Sequence, residues 1–355
     1  MTTESQDAVA QPPVLVRRAG TIGRIELNKP KAINALGGEM VAMVAAALEA
    51  WKDDPEVTAV VVTGRGERGL CAGGDIKAIH RSVVAGDENA LLFFSTEYAM
   101  NHLIAEYPKP YVAVMDGITM GGGVGISAHG SVRIVTETSK IGMPETGIGL
   151  FPDVGGTYLL SRTPGEIGTY FALTGEAFGP GTALALGLAD HFVPRDAVPA
   201  LVEALETGTD VAEAVGASAT EAPADPTAAD REWIDACFAG NTVQEILAAL
   251  DAAAAEGNEK AGAAAATIRT KSPTSLAVTL AMLRTAPDMT LAEVLERDLR
   301  VAVGIGRQPD LVEGIRAQVI DKDRNPQWNP ASLDEVSPAL VQSILTTELE
   351  RTVFA

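Results

Sequence analysis

The chain is poor in cysteine and in positive charge. Its 355 residues include only two cysteines, Cys71 and Cys237, which form neither a CxxC pair nor a disulfide framework. The 27 basic residues are outnumbered by 47 acidic ones, giving a formal net charge of −20, which argues against a broad nucleic-acid-binding face. An anionic ligand therefore needs local Lys or Arg side chains, or backbone N–H groups, to overcome the repulsive average field.

Long hydrophobic runs are also missing. The most apolar stretches, such as residues 41–48 and 112–115, are far shorter than the roughly 18 residues needed to cross a bilayer. The first seven residues are polar and acidic, without the basic segment and apolar run of a secretory signal. We therefore expect residues 1–13 to form a loose tail, and a cytoplasmic protein with no membrane partner.

Apolar residues make up 46% of the chain, enough to build a sizeable core. Short β-prone runs at 14–18 and 21–27 predict a hairpin, and continuous β-branched or apolar runs at 58–63 and 111–115 predict strands buried on both faces. A further strand is predicted at 132–136. The helices predicted from apolar spacing are 37–52, 89–107, a stretch ending near 129, 165–173 and 182–186. Strands that alternate with helices indicate an α/β fold with mostly parallel pairing.

The composition changes after residue 202. Residues 203–230 are dominated by Ala, Thr, Glu, Asp and Pro and resemble a linker. We expect a core with the functional site at 14–202 and a helical region at 231–355. The helix-like stretches in that region are 233–256, 259–270, 275–284 and 291–304.

Three glycine-bearing segments follow predicted strands: 71–77, 120–125 and 143–156. Glycine leaves backbone amides open to a ligand oxygen, and the N–H groups at a helix N-terminus favour negative charge. Two converging amides are what an oxyanion hole needs. Each glycine run alone is also typical of turns and close helix contacts, and none has the phosphate-binding GxxxxGK or dinucleotide-binding GxGxxG pattern.

The third segment contains two carboxylates, Glu145 and Asp153, among Gly, Pro and apolar residues. Such surroundings raise the pKa of a carboxyl and make it a usable acid or base near neutral pH, although capping and loop roles are the alternative. No serine lies in a GxSxG motif, so a serine triad is disfavoured. The histidines show no metal-binding spacing, and we expect no metal site: His80, His102, His129 and His191.

Several of these segments together resemble the crotonase (enoyl-CoA hydratase/isomerase) superfamily. The matching segments are Asn34-Ala35-Leu36, 72–76, 121–123 and Pro144-Glu145. Within that superfamily, 117–125, 143–156 and 320–328 are similar to the branch that hydrolyses 3-hydroxyisobutyryl-CoA, and the resemblance extends over residues 14–341. It implies a spiral of strand-strand-helix turns, a helical C-terminal region and an acyl-CoA substrate.

The resemblance also implies roles for particular residues. The N–H groups of Gly74 and Gly122 match the oxyanion donors, Glu145 the catalytic glutamate, Asp153 the second carboxylate and Glu97 a further acid of the site. Lys31 and Lys77 are candidates for the phosphates of coenzyme A, because they carry the local positive charge near the first two motifs.

One position departs from the hydratases, which have a glutamate where this chain has Gly125. Hydration uses two glutamates, whereas thioester hydrolysis needs one carboxylate and the two amides. The resemblance therefore favours hydrolysis of a short branched 3-hydroxyacyl-CoA, as in valine breakdown, with no cofactor apart from the coenzyme A of the substrate. An enoyl-CoA or dienoyl-CoA isomerase, a hydratase, and a non-catalytic acyl-CoA-binding protein stay open, and so does assembly into a homo-oligomer.

Overall fold

The computed structural model describes residues 11–349 and 351–354. Its strands are β1 (Val14–Ala19), β2 (Ile22–Leu27), β3 (Ala59–Gly64), β4 (Tyr111–Met115), β5 (Ile118–Met120), β6 (Val132–Val135), β7 (Lys140–Gly142) and β8 (His191–Phe192). The helices up to residue 206 are α1 (Gly38–Trp51), α2 (Ile76–Ala85), α3 (Asn89–Ala105), α4 (Gly122–Gly125), α5 (Gly156–Leu160), α6 (Ile167–Thr174), α7 (Pro180–Ala185) and α8 (Val198–Glu206). The later helices are α9 (Val211–Ser218), α10 (Arg231–Phe238), α11 (Val243–Ala255), α12 (Glu259–Ile268), α13 (Pro273–Thr285), α14 (Leu291–Gly306), α15 (Pro309–Ile315) and α16 (Pro338–Leu345).

Six strands form one sheet in the order β1-β2-β3-β4-β6-β8. Only the β1–β2 hairpin is antiparallel, and every other neighbouring pair in this sheet is parallel. Strands β5 and β7 form a separate parallel pair. Parallel neighbours require crossover connections, and the helices between the strands supply them. The mixed α/β class and the parallel pairing predicted from the sequence are confirmed.

The main sheet is buried on both faces. In β3, Val60 and Val62 join the larger apolar cluster, whereas Val61 joins the smaller cluster on the other side. Helices α8 and α9 cover the smaller cluster with Leu201, Leu205 and Val215 among others. Because successive strand residues point to opposite faces, a strand covered on both sides needs the continuous apolar run seen here.

The hairpin, the buried strands and the long helices α1 and α3 are confirmed, with ends shifted by two residues at most. Two helix predictions are wrong. The predicted helix ending near 129 is only α4, because the Ser127 hydroxyl donates to the Gly123 carbonyl at 2.6 Å and the Ser127 N–H donates to the Val124 carbonyl instead. The predicted helix 233–256 is two helices, since residues 239–242 interrupt it and a Thr242/Glu245 capping box starts α11.

Most of the predicted loose tail, residues 1–10, lies outside the described residues. Its last residues are held, because the carbonyls of Pro12 and Pro13 accept hydrogen bonds from Asn28. The predicted connection at 203–230 contains the end of α8, all of α9 and an irregular stretch before α10. In the described part of the chain, no helix is long and apolar enough to cross a membrane.

Candidate active site

A cavity of about 350 Å³ brings together five of the residues singled out in the sequence. Gly74, Gly122, Glu97, Glu145 and Asp153 all line it. They come from the loop before α2, the start of α4, the middle of α3 and the segment after β7. Residues separated by up to 79 positions in sequence therefore share one pocket, as the resemblance implied.

The loop that carries Gly74 is fixed by backbone hydrogen bonds on both sides. Leu36 N–H donates to the carbonyl of Gly73, and Asp75 N–H donates to the carbonyl of Leu36. Buried Asn34 supports this arrangement, because its Nδ2 lies 3.0 Å from the carbonyl oxygen of Leu70 and 3.2 Å from that of Gly69. The Asn-Ala-Leu motif thus anchors the loop rather than lining the cavity.

The amides of Gly74 and Gly122 lie side by side. A Cβ atom on Gly122 would stand 3.3 Å from the amide nitrogen of Gly74. Among the described residues, neither N–H donates to a backbone or side-chain acceptor. The Gly122 N–H is the first of α4, where helix geometry provides no acceptor. Both donors are thus available to an oxygen atom in the cavity.

Glycine at 121 and 122 also makes room for the acids. A Cβ on Gly121 would lie 2.5 Å from Oε1 of Glu145, and one on Gly122 would lie 2.6 Å from Oε1 of Glu97. Gly121 additionally has φ = 52°, which side chains rarely tolerate. The two carboxyl groups are therefore in contact with the backbone that presents the Gly122 amide.

Asp153 lies on a strained turn that is held from helix α14 and from the turn after α4. Val154 and Gly155 have left-handed φ angles of 52° and 75°. His129 Nε2 lies 2.7 Å from the Val154 carbonyl oxygen, and the Gly155 N–H donates to Oδ2 of buried Asp298 at 2.9 Å. Burial lowers the pKa of His129 to about 4, so the neutral ring donates its Nε2–H to that carbonyl. These contacts give His129 a structural role, because it supports the turn next to Asp153.

The three carboxyl groups of the cavity differ in how easily they ionise. Burial, with a smaller effect from Asp153, raises the pKa of Glu97 and Glu145 well above the ordinary value. Burial raises the pKa of Asp153 to about 6, and a hydrogen bond from Tyr98 OH to its Oδ2 at 2.7 Å limits the rise. Asp153 therefore loses its proton first, and its charge holds the proton on Glu145.

Positive charge is scarce around these acids. Lys271, in the turn before α13, lines the cavity, and burial lowers the pKa of its ammonium group. Among the described residues, no other Lys or Arg lines this cavity. Lys31 and Lys77 are exposed and do not line the cavity. Their proposed contact with coenzyme A phosphates lies outside this pocket and stays a prediction.

Sequence reasoning missed several residues of the site. Lys271, Gln318 and Val319 come from the helical C-terminal region, and Phe93 and Phe94 from the turn of α3 before Glu97. The spacing of Phe93 and Glu97, four residues apart on one helix, is a signal that places both on the same face. The residues of the C-terminal region give no such signal, because their position depends on tertiary packing.

The sequence and the fold match a known family. A family model described as enoyl-CoA hydratase/isomerase matches residues 22–345, and the chain belongs to this family. A Xenopus tropicalis protein named "3-hydroxyisobutyryl-CoA hydrolase, mitochondrial" is 40% identical over 94% of this chain and 88% of its own length. The human protein of that name is 39% identical with the same coverage.

Solved structures agree on the fold. A carnitinyl-CoA dehydratase from Mycobacterium thermoresistibile superimposes with a TM-score of 0.92 at 47% identity, covering 97% of this chain and 98% of that one. An enoyl-CoA hydratase from Rhodobacter sphaeroides 2.4.1 gives 0.89 at 44% identity, covering 95% and 98%. The crotonase-like fold expected from the sequence, with its helical C-terminal region, is confirmed.

Proposed function

We propose that this protein hydrolyses the thioester of a short branched 3-hydroxyacyl-CoA, of the 3-hydroxyisobutyryl type found in valine breakdown, to the free acid and coenzyme A. The observation that carries the proposal is the pair of free N–H groups, on Gly74 and Gly122, beside the buried carboxyl of Glu145. The names of the curated relatives support the same substrate.

In this mechanism the thioester carbonyl oxygen accepts hydrogen bonds from the two amides, which stabilise the negative charge that develops on it. Glu145 acts in its ionised form, which burial and the charge of Asp153 make less populated, so its proton must leave before the reaction begins. The carboxylate then either attacks the carbonyl carbon, giving a mixed anhydride, or takes a proton from an attacking water. The carbon–sulfur bond then breaks and coenzyme A leaves as a thiolate. In the anhydride route a water molecule next hydrolyses the anhydride, which releases the free acid and restores the Glu145 carboxylate. Asp153 lines the same cavity, and we propose that it orients Glu145, binds the 3-hydroxyl group or, after it takes up a proton, passes that proton to the thiolate.

The packing around Gly125 weighs against hydration. A Cβ atom there would lie 2.8 Å from Cβ of Val154 and 2.9 Å from Nδ2 of Asn101. The backbone and neighbours at this point leave no space for the second glutamate that hydratases carry. Glu145 and Asp153 still suit a proton shuttle, so the assay must distinguish hydrolysis from isomerisation of an unsaturated acyl chain.

The test is release of free thiol from 3-hydroxyisobutyryl-CoA. We expect release by the wild type and a loss of about 10³-fold or more in kcat for Glu145→Gln, because the amide can neither attack nor accept a proton. Glu39→Gln, at an exposed position of α1, is the matched control and retains full activity.

Other results would replace the proposal. An absorbance change in an enoyl-CoA without thiol release indicates isomerisation. Acyl-CoA binding that Glu145→Gln leaves unchanged, without turnover in either protein, indicates a binding protein. Single turnover in heavy-oxygen water distinguishes the two hydrolytic routes, since label in the Glu145 carboxylate requires the anhydride.

A further inference from the structure

A second cavity of about 340 Å³ lies directly beside the first, between α1, α2 and α3. Two side chains, Phe93 and Ile79, line both cavities and so form the wall between them. The remaining lining of the second cavity includes Ala42, Ala78 and Ala90, whose small side chains leave the space open.

The Phe93 ring stands at the reactive end of the first cavity. A Cβ atom on Gly74 would lie 3.3 Å from the tip of this ring, so the ring packs against the residue that offers the first amide donor. Phe93 also lies one turn before Glu97 on α3 and packs edge to face against Phe94, with centroids 5.7 Å apart. An acyl chain with its carbonyl at the two amides therefore meets the ring before it can reach the second cavity.

The second cavity suits hydrocarbon. Its charged lining residue, Asp75, is already engaged, because its carboxylate caps α2 by accepting the Ala78 N–H and lies 3.7 Å from the ammonium of Lys29. Ile79 is 5% exposed and fixes the other half of the wall. Most of the other side chains offered to an occupant are apolar, namely three alanine methyl groups, the Phe93 ring and Leu92, and the polar side chains are those of Asn89 and Thr96 at the α3 side.

We propose that Phe93 sets the acyl-chain length that this protein accepts, and that the second cavity, which the ring separates from the first, is a groove for longer acyl chains. The inference rests on the proposed function and extends it from the thioester to the acyl group. Truncation of Phe93 joins the two cavities into one space of about twice the volume of either.

The test compares Phe93→Ala with the wild type on saturated straight-chain acyl-CoA thioesters of four, six and eight carbons. We expect kcat/KM for thiol release by the wild type to fall beyond four carbons. In Phe93→Ala the eight-to-four ratio rises by at least about tenfold, because each buried methylene favours binding by about fourfold. Phe93→Leu removes less volume, so its eight-to-four ratio should rise by a smaller factor. It replaces the alanine variant in the test if that variant does not fold.

Two further variants distinguish a gate, meaning the Phe93 ring that separates the two cavities, from a general loss of packing in α3. Leu91→Ala shortens a partly buried side chain of the same helix that lines neither cavity, and we expect the wild-type chain-length profile. Ala90→Leu fills the second cavity, so in the Phe93→Ala background it cancels the gain for eight carbons. A gain that persists in this double variant, or identical profiles for folded Phe93→Ala and wild type, overturns the proposal.

Failure of the proposed function would be distinguishable. If the wild type releases no thiol from any acyl-CoA, hydrolysis is refuted, and the gate is then measured by calorimetric titration with thioether analogues of the same chain lengths. Phe93→Ala that binds the eight-carbon analogue at least about tenfold more tightly, relative to the four-carbon one, supports the gate. An unchanged ratio refutes it.

Discussion

The Gly122→Ala variant tests the pair of amide donors most directly. The added methyl group would lie 2.6 Å from Oε1 of Glu97 and 3.3 Å from the amide nitrogen of Gly74. It therefore displaces the Glu97 carboxyl and stands where an acyl oxygen must approach both amides. The backbone itself tolerates alanine, because Gly122 is not among the glycines with positive φ.

The size of the effect follows from the loss of these hydrogen bonds in the transition state. Removal of one oxyanion donor costs about 10²–10³ in kcat, or about 3–4 kcal/mol of activation free energy, and we expect a loss in this range. The assay is steady-state thiol release, with thermal unfolding measured in parallel. The control is Gly216→Ala in α9, where a Cβ has no neighbour within 4 Å and activity should be unchanged. A well-folded Gly122→Ala protein with kcat within threefold of wild type would refute the assignment of the donors.

Two further predictions concern buried carboxyl groups. The charge of Asp153 adds to burial in raising the pKa of Glu145. Asp153→Asn should therefore lower kcat and move the acidic side of the pH profile of kcat/KM to lower pH. A profile whose acidic side stays in place or moves to higher pH contradicts this prediction. Burial raises the pKa of Asp298 from 3.8 to about 8, so the folded protein holds a proton there that the unfolded chain releases above about pH 4. This contribution to the free energy of unfolding is fully present below pH 4 and is lost as pH rises to 8, at about 1.4 kcal/mol per pH unit. Asp298→Asn keeps an acceptor for the Gly155 N–H. Its free energy of unfolding, measured in urea, should therefore rise relative to that of the wild type between pH 5 and 8. A difference between the two proteins that does not change with pH contradicts this prediction.

The elements that the sequence predicts well are those with a local physical cause. The continuous apolar run of β4 and the alternation of helix and strand follow from burial on both faces, and β4 appears with the bounds that the run predicts. Four of the residues singled out for the cavity, Gly74, Gly122, Glu145 and Asp153, lie in short glycine-bearing segments that mark them, whereas Glu97 was expected only from the family resemblance. The four-residue length of α4 was missed because it depends on the hydrogen bonds of Ser127, and the break before α11 was missed although the Thr242/Glu245 capping box is a local signal for it.

The parts of the site that were missed are contacts between distant parts of the chain. Nothing in the sequence near Asp298 relates it to the turn that carries Asp153, 145 positions earlier, although a single hydrogen bond joins them. The relation of Lys271 and Phe93 to the site likewise becomes visible only in the cavity that both line. The pKa of Glu145 was predicted in direction, because its apolar neighbours are adjacent in sequence, but the effect of Asp153 and Glu97 on it needed the fold.

The segment with the acids is held by the second half of the chain. Ser272 N–H donates to the carbonyl of Thr146, directly after Glu145, and Asp298 accepts the amide of Gly155, close to Asp153. A chain cut after the strand-rich half would keep every residue with a proposed chemical role, yet it would lose the supports that fix both acids in position. The helical half therefore helps to position the catalytic acids. If either half is exchanged with that of a relative, these two hydrogen bonds must be preserved.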